Sequence, residues 1–372
     1  MKHLSDNAMA IFSEMDSSVE EMNNLMQDVA LGRKTFDGER EISKSEAEAK
    51  ILEFTKKFFG ITDESSKKEI RRALDNKNTL REYYNIIEDT IDVAVDFGIQ
   101  ENNWFEFLVD RRNIAYGDRQ DFWFEDDAIL SVAKGGVSHH DHIMQQIRSG
   151  EHFSVPTSLY VVKVGADINK YVLGQINWAR FVGAVAKAFV NQIQTEVYQQ
   201  VANASSQLPV TTGFVGTGDL KVATNKSAFD EIIRNVSAAN NNSKIVIMGD
   251  FYATSKITDA ADVNWGAASQ KENIANTGNL GVYNGATIVT IPNRFTDKTY
   301  SKLQFPTKKL IILAADEEDK FVKLVDEGET IIKEVMERGE DGRVSDLMSY
   351  EAQRYFGVGV KVSRQFGEWT VI

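Results

Sequence analysis

Apolar positions recur at spacings of three and four through the first hundred residues. Met9, Phe12, Met15, Val19, Met22 and Met26 form one such stripe, which is the period of a helix with a single apolar face. Ile51, Leu52, Phe54, Phe58 and Phe59 form a second stripe, with Gly60 as a stop. Leu80, Tyr83, Tyr84, Ile87, Ile91 and Val95 form a third, stopped at Gly98. Between the last two, Thr62-Asp63-Glu64 before Ile70 and Leu74 predicts a short capped helix. No proline interrupts residues 1–100. The pattern predicts charged amphipathic helices joined by short turns, an arm rather than a compact domain.

From Trp104 the period shortens. Trp104 to Val109 and Phe122-Trp123-Phe124 are short and aromatic-rich, which predicts strands. Tyr116-Gly117-Asp118 lies between them as a turn. Ser158 to Val164 predicts another strand, ended by Gly165, and a short helix is expected at His139–Arg148 before Gly150. The stretch 104–165 reads as one long elaborated hairpin.

The strongest periodic signal follows. Ile168, Val172, Ile176, Ala179, Val182, Ala186, Phe189, Ile193, Val197 and Val201 keep one helical face without a proline, and Asp167 suits the N-cap. A single helix from Asp167 to Asn203 would be a rod of roughly 50 Å.

Beyond residue 205 the pattern is mixed. Phe229, Ile232, Ile233 and Val236 mark a helix, Lys244 to Met248 a buried strand, and Asp250 the cap of a helix Phe251 to Ala260. Gly281 to Ala286 reads as a hairpin turn leading into the strand Thr287 to Ile291, and Lys309 to Ala314 as another strand. From Phe321 to Ile372 the positions mostly alternate, with Ser345 to Arg354 as a helix-like interruption.

Composition narrows the class. The 372 residues are 42% hydrophobic and 26% charged, which excludes a collagen, a disordered tail and a membrane bundle. There is no Cys, which excludes disulfides, thiolate metal sites and a cysteine nucleophile. The net charge of −13 argues against a surface that grips phosphate backbones through many cations. Residues 1–100 hold 14 Lys and Arg against 21 Asp and Glu, so about half of that charge lies there. The first twenty residues contain no apolar run typical of a signal peptide. Asn177, Arg180 and Lys187 break the most apolar helix, so no membrane span is expected.

Candidate chemistry is sparse. His139, His140, His142 and His152 lie close together with Asp141 among them, and His139 and His142 at i, i+3 could share a metal. A polar hairpin tip explains them as well. Gly213, Gly216 and Gly218 suggest a phosphate cradle only superficially, because their spacing fits no phosphate-binding motif. The acidic pairs Asp126-Asp127 and Glu317-Glu318 read as solvated faces. No catalytic residue, cofactor or metal is therefore assigned, and an enzyme is not expected.

The order of elements resembles the major capsid proteins of tailed bacteriophages, whose α+β fold is shared with encapsulins and the herpesvirus capsid floor. The stretch LGVYNGATIVTIPN (280–293) is similar to a late axial segment of that family. The resemblance implies an N-terminal helical arm at 1–100, an extended loop hairpin at 101–165 and a spine helix at 166–205. It further implies an axial domain at 206–318 and return strands of the peripheral domain at 319–372. The implied function is a shell protein forming hexamers and pentamers of an icosahedral head around double-stranded DNA. Portal, scaffolding or decoration proteins would be its partners, without a membrane, and host cytoplasm its place of assembly into the virion. The alternatives are an encapsulin-like shell around a cargo enzyme and a metal-dependent enzyme using His139 and His142.

Physical reasoning also favours assembly. An isolated hairpin has no second layer on which to bury the rings of Trp104, Phe105, Phe122 and Trp123. Arg111, Arg112 and Arg119 lie beside acidic residues and suit bidentate contacts across an interface. These seven residues are the expected assembly surface.

Overall fold

A computed structural model describes residues 19–37, 40–62, 76–100, 103–124, 151–166, 178–207, 213–240, 242–261, 278–295, 299–315, 320–338, 344–360 and 366–372, with isolated positions between 65 and 73 and at 271 and 274. The chain divides into two compact units. One holds Met1–Phe105, Ser158–Glu196 and Asp326–Phe356, and the other holds Glu106–Thr157, Val197–Val325 and Gly357–Ile372.

The first unit opens with helix α1 (Val19–Leu31), the short strands β1 (Thr35–Asp37) and β2 (Arg40–Ile42), and helix α2 (Lys44–Phe58). Ser43 starts α2 with a reciprocal cap: its hydroxyl accepts from the Glu46 N–H, and the Glu46 carboxylate accepts from the Ser43 N–H. The expected apolar stripe of α2 is buried at Ile51, Phe54 and Phe58. Phe58 and Phe59 meet Tyr83 of helix α3 (Lys77–Gln100) at ring separations of 5.6 and 5.2 Å.

Gly98 does not end α3, which runs to Gln100. A Cβ there would come within 2.9 Å of Val190 on helix α5 (Trp178–Gln207), so this glycine permits close helix approach. A Cβ on Gly183 would stand 2.8 Å from the carbonyl oxygen of Ala30 on α1. The described helices of the first hundred residues therefore pack into this unit rather than forming a separate arm. The long helix is confirmed from Trp178 and extends to Gln207, four residues beyond the expected end. The expected start at Asp167 and the residues before Trp178 lie outside the described residues.

Two carboxylates fix α3 to the sheet. Strand β6 (Ser158–Ala166) pairs antiparallel with strand β13 (Val344–Val360), which is joined in sequence to strand β12 (Val322–Arg338). Glu88 is fully buried and accepts from the Ile332 N–H at 2.7 Å. Asp92, one turn later, accepts from the Thr330 N–H at 3.2 Å and from Arg354 Nη1 at 2.6 Å. Alternate backbone donors of β12 thus meet carboxylates at i and i+4 of one helix face.

In the second unit a six-stranded sheet has the order β7-β14-β11-β8-β10-β9. Its strands are β7 (Val215–Gly218), β8 (Lys244–Asp250), β9 (Val282–Tyr283), β10 (Ala286–Ile291), β11 (Lys309–Ala315) and β14 (Gly367–Val371). β10 runs parallel to β8 and β11 antiparallel to it. Helices α6 (Ala223–Ala239) and α7 (Phe251–Ala260) cover it, burying Phe229, Ile232, Ile233, Val236 and Ile257 with Ile247, Leu310, Ile312 and Trp369. Asp250 caps α7 as expected, accepting from the Tyr252 N–H at 3.2 Å.

Three expectations are corrected. Asn103–Leu108 is a helix, α4, followed by strand β3 (Val109–Ile114), because Trp104, Phe105 and Leu108 share one buried helical face. Ser345 to Arg354 is strand within β13, where the ladder to β6 overrides local helix preference. The block 319–372 is divided, because Gly367–Val371 pairs with β11 and β7 in the six-stranded sheet.

Candidate assembly site

The stretch expected as one hairpin contains a two-stranded ribbon, β4 (Asp121–Phe124) with β5 (Glu151–Ser154). β3 and β6, at its ends, instead belong to the sheet β3-β12-β13-β6. In the ribbon Phe122 faces Phe153, and Trp123 faces His152. Directly opposed residues of antiparallel strands share a face, and successive residues alternate. One face is therefore Phe122 with Phe153, and the other is Trp123 with His152.

The two faces have opposite environments. Phe122 is 4% exposed and packs with Val155 and Val325. Lys323 Nζ and the Arg112 guanidinium lie 5.4 and 5.0 Å from the centre of its ring. Both cations share one carboxylate: Asp110 is 2.9 Å from Lys323, which is nearly fully buried, and 3.5 Å from Arg112. Trp123, by contrast, is 51% exposed, with the His152 ring edge-on at 4.6 Å. Arg119 lies beside it, 3.5 Å from Asp121 and donating to the Ser154 hydroxyl.

The seven expected surface residues therefore separate. Trp104 and Phe105 are 2% and 4% exposed and meet edge-on at 5.2 Å within their own unit. Phe122 and Arg112 brace the ribbon root, and Arg111 on β3 is half-buried. Of the seven, Arg119, Trp123 and Arg112 are about half exposed or more, and of these Trp123 alone lies on a ribbon strand. Asp110 belongs to the expected charge run around Arg111 and Arg112, but its pairing with Lys323, 213 residues away, has no signal in the sequence.

His139, His140 and His142 lie outside the described residues, as do Asp126-Asp127 and Glu317-Glu318. Among the described residues no group of three His, Asp or Glu could hold a metal. The glycine-rich stretch has a packing role. A Cβ on Gly216 would collide with the Trp369 ring, and Trp369 Nε1 donates to the Gly218 carbonyl at 3.2 Å. Among the described residues no helix is long and apolar enough to cross a membrane.

This combination of a long helix, an extended ribbon and a separate α/β unit is the fold of tailed-phage major capsid proteins. The bacteriophage PhiM1 mature capsid matches with a TM-score of 0.50 and 10% identity, covering 71% of this chain and 86% of that chain. The satellite phage P4 procapsid with its size determination protein gives a TM-score of 0.43 and 9% identity, over 75% of this chain and 90% of that one. A virus-like particle from Pyrococcus furiosus gives 0.41 and 12% identity, over 76% and 98%. No curated protein matches the chain.

Residues 21–370 match the family described as "SPbeta prophage-derived putative capsid protein YonB", and the chain belongs to that family. It is a structural phage capsid protein.

Proposed function

We propose that copies of this chain assemble into hexamers and pentamers that close an icosahedral head shell around double-stranded DNA. One observation carries the reading: the ribbon is rooted by Phe122 in its own unit while Trp123 is presented outward at 51% exposure. An anchored ribbon holding a half-exposed tryptophan is suited to dock on a second copy, since aromatic anchors dominate protein interfaces. In this reading 101–165 is the docking loop, 166–205 the spine, 206–318 the axial part, and 319–360 supplies return strands, while 367–371 joins the six-stranded sheet. The segment 1–100 stays with the subunit in the particle. Assembly takes place in the host cytoplasm with portal and scaffolding or decoration proteins, and the subunit carries out no reaction. The net charge of −13 suits a wall that holds packaged DNA only weakly.

Sedimentation velocity of the purified full chain tests the reading. Closed particles or rings of several subunits are expected. A stable monomer at all concentrations contradicts it.

A further inference from the structure

The chain contains a single Asn-Gly pair, Asn284-Gly285. It forms the two-residue connection between β9 and β10, where Tyr283 pairs with Ala286. Both turn residues have positive φ, 46° at Asn284 and 81° at Gly285, as a type I′ hairpin turn requires. Both are exposed, and a Cβ added to Gly285 would meet nothing within 4 Å. The two turn residues are therefore open to water.

The Asn284 side chain is tethered. Its Nδ2 donates to Asp230 Oδ1 of α6 at 2.7 Å, and the Tyr283 hydroxyl donates to the same oxygen at 2.9 Å. Burial and this contact with Asp230 push the Tyr283 hydroxyl well above its ordinary value.

We propose that Asn284 is a deamidation site that Asp230 holds closed in the folded subunit. In the reaction the backbone nitrogen of Gly285 attacks Cγ of Asn284 and loses its proton to solvent. The Cγ–Nδ2 bond breaks, ammonia leaves, and a five-membered succinimide forms. Water then opens either carbonyl, leaving an aspartyl or an isoaspartyl residue. The sum is amide plus water giving acid plus ammonia, with no other reactant.

Three features oppose it in the fold. The turn fixes the Asn284 backbone in the left-handed region, and ring closure requires a particular near-attack geometry. Asp230 holds the leaving nitrogen against α6. Its negative charge also opposes the negative oxygen that develops on Cγ during attack. If the site does react, the new carboxylate lies opposite Asp230, and like charges at that distance repel. Reaction would thus free the β9–β10 turn from α6.

Peptide mapping by mass spectrometry of the full chain, aged in mildly alkaline buffer, tests this. Conversion at residue 284 is expected to be on the order of a hundredfold slower in folded wild type than in urea, from lost attack geometry. Folded Asp230→Ala is expected to convert about tenfold faster than folded wild type, because the tether is gone while the turn persists. Circular dichroism establishes that each variant is folded. If Asp230→Ala does not fold, Asp230→Asn removes the charge at similar volume and is expected to raise the rate several-fold by the same argument. Equal rates for the folded variant and wild type overturn the proposal. So does folded wild type converting as fast as the unfolded chain.

Discussion

Asp92 and Arg354 meet at 2.6 Å across 262 residues of sequence, one on a helix and the other on a strand. The arginine side chain is only 4% exposed, and its Nε lies 3.4 Å from Asp326, which is 1% exposed. Thr330 completes the cluster, receiving from Arg354 at 3.1 Å and donating through its N–H to Asp92. A helix near the N-terminus thereby supplies a second carboxylate to a buried arginine that Asp326 also contacts.

Asp92→Ala is expected to destabilise the subunit by about 1–3 kcal/mol, because it leaves the buried donors Thr330 N–H and Arg354 Nη1 without the acceptor they share. Urea unfolding at neutral pH measures this. A loss below about 0.5 kcal/mol, the range of neutral surface changes, would show that Asp326 alone satisfies Arg354.

The same carboxyl makes stability depend on pH. Burial pushes Asp92 above its ordinary value of 3.8, more than Arg354 and the Thr330 donors pull it down, and Asp96 adds to the rise. The folded state therefore holds this proton more tightly than the unfolded chain. The linked stability is fully present below 3.8 and is lost as pH rises through the raised folded value. Stability of the wild type relative to Asp92→Asn, which does not titrate there, is expected to increase on acidification through that window. A difference that stays constant or shrinks contradicts the assignment.

Gly216→Ala places a methyl group against the Trp369 ring and Ile232 in the core of the six-stranded sheet. Overpacking of this kind costs about 1–3 kcal/mol. Thermal melting is expected to show that loss, and an unchanged melting temperature would remove the packing explanation for this glycine.

Trp123→Ala separates folding from assembly. The ring is half exposed on the outer face of the ribbon, so subunit stability is expected to stay within about 0.5 kcal/mol. Particle yield in sedimentation is expected to fall sharply, since loss of one aromatic anchor costs an interface about 2 kcal/mol or more per copy. Unchanged particle yield would exclude Trp123 as a contact.

Much of the fold was legible because it is written in local periodicity. Ile51, Phe54 and Phe58 of the second stripe, Leu80 to Val95 of the third, and the described positions from Val182 to Val201 each lie on one buried helix face, and Asp250 and Gly60 took the roles that local chemistry assigns them. Long-range relations were not legible. Nothing around Glu88 or Asp92 distinguishes a buried carboxylate from the solvated acids beside it. Gly98 looked like a stop because only the position of Val190 reveals its close helix approach. The aromatic run Trp104-Phe105 suggested a strand, yet with Leu108 it covers one helical face. Of the expected assembly surface, Trp123 and Arg119 lie outward, while Phe122 turns inward by the alternation of a single strand.

Electron microscopy of particles purified from cells expressing the full chain tests the central claim most directly. The account predicts closed shells of uniform subunits near 41.7 kDa, with density for α1 to α3 inside every subunit and the β4–β5 ribbon lying on a neighbouring copy. Isolated monomers, or shells whose ribbons touch only their own subunit, would contradict it.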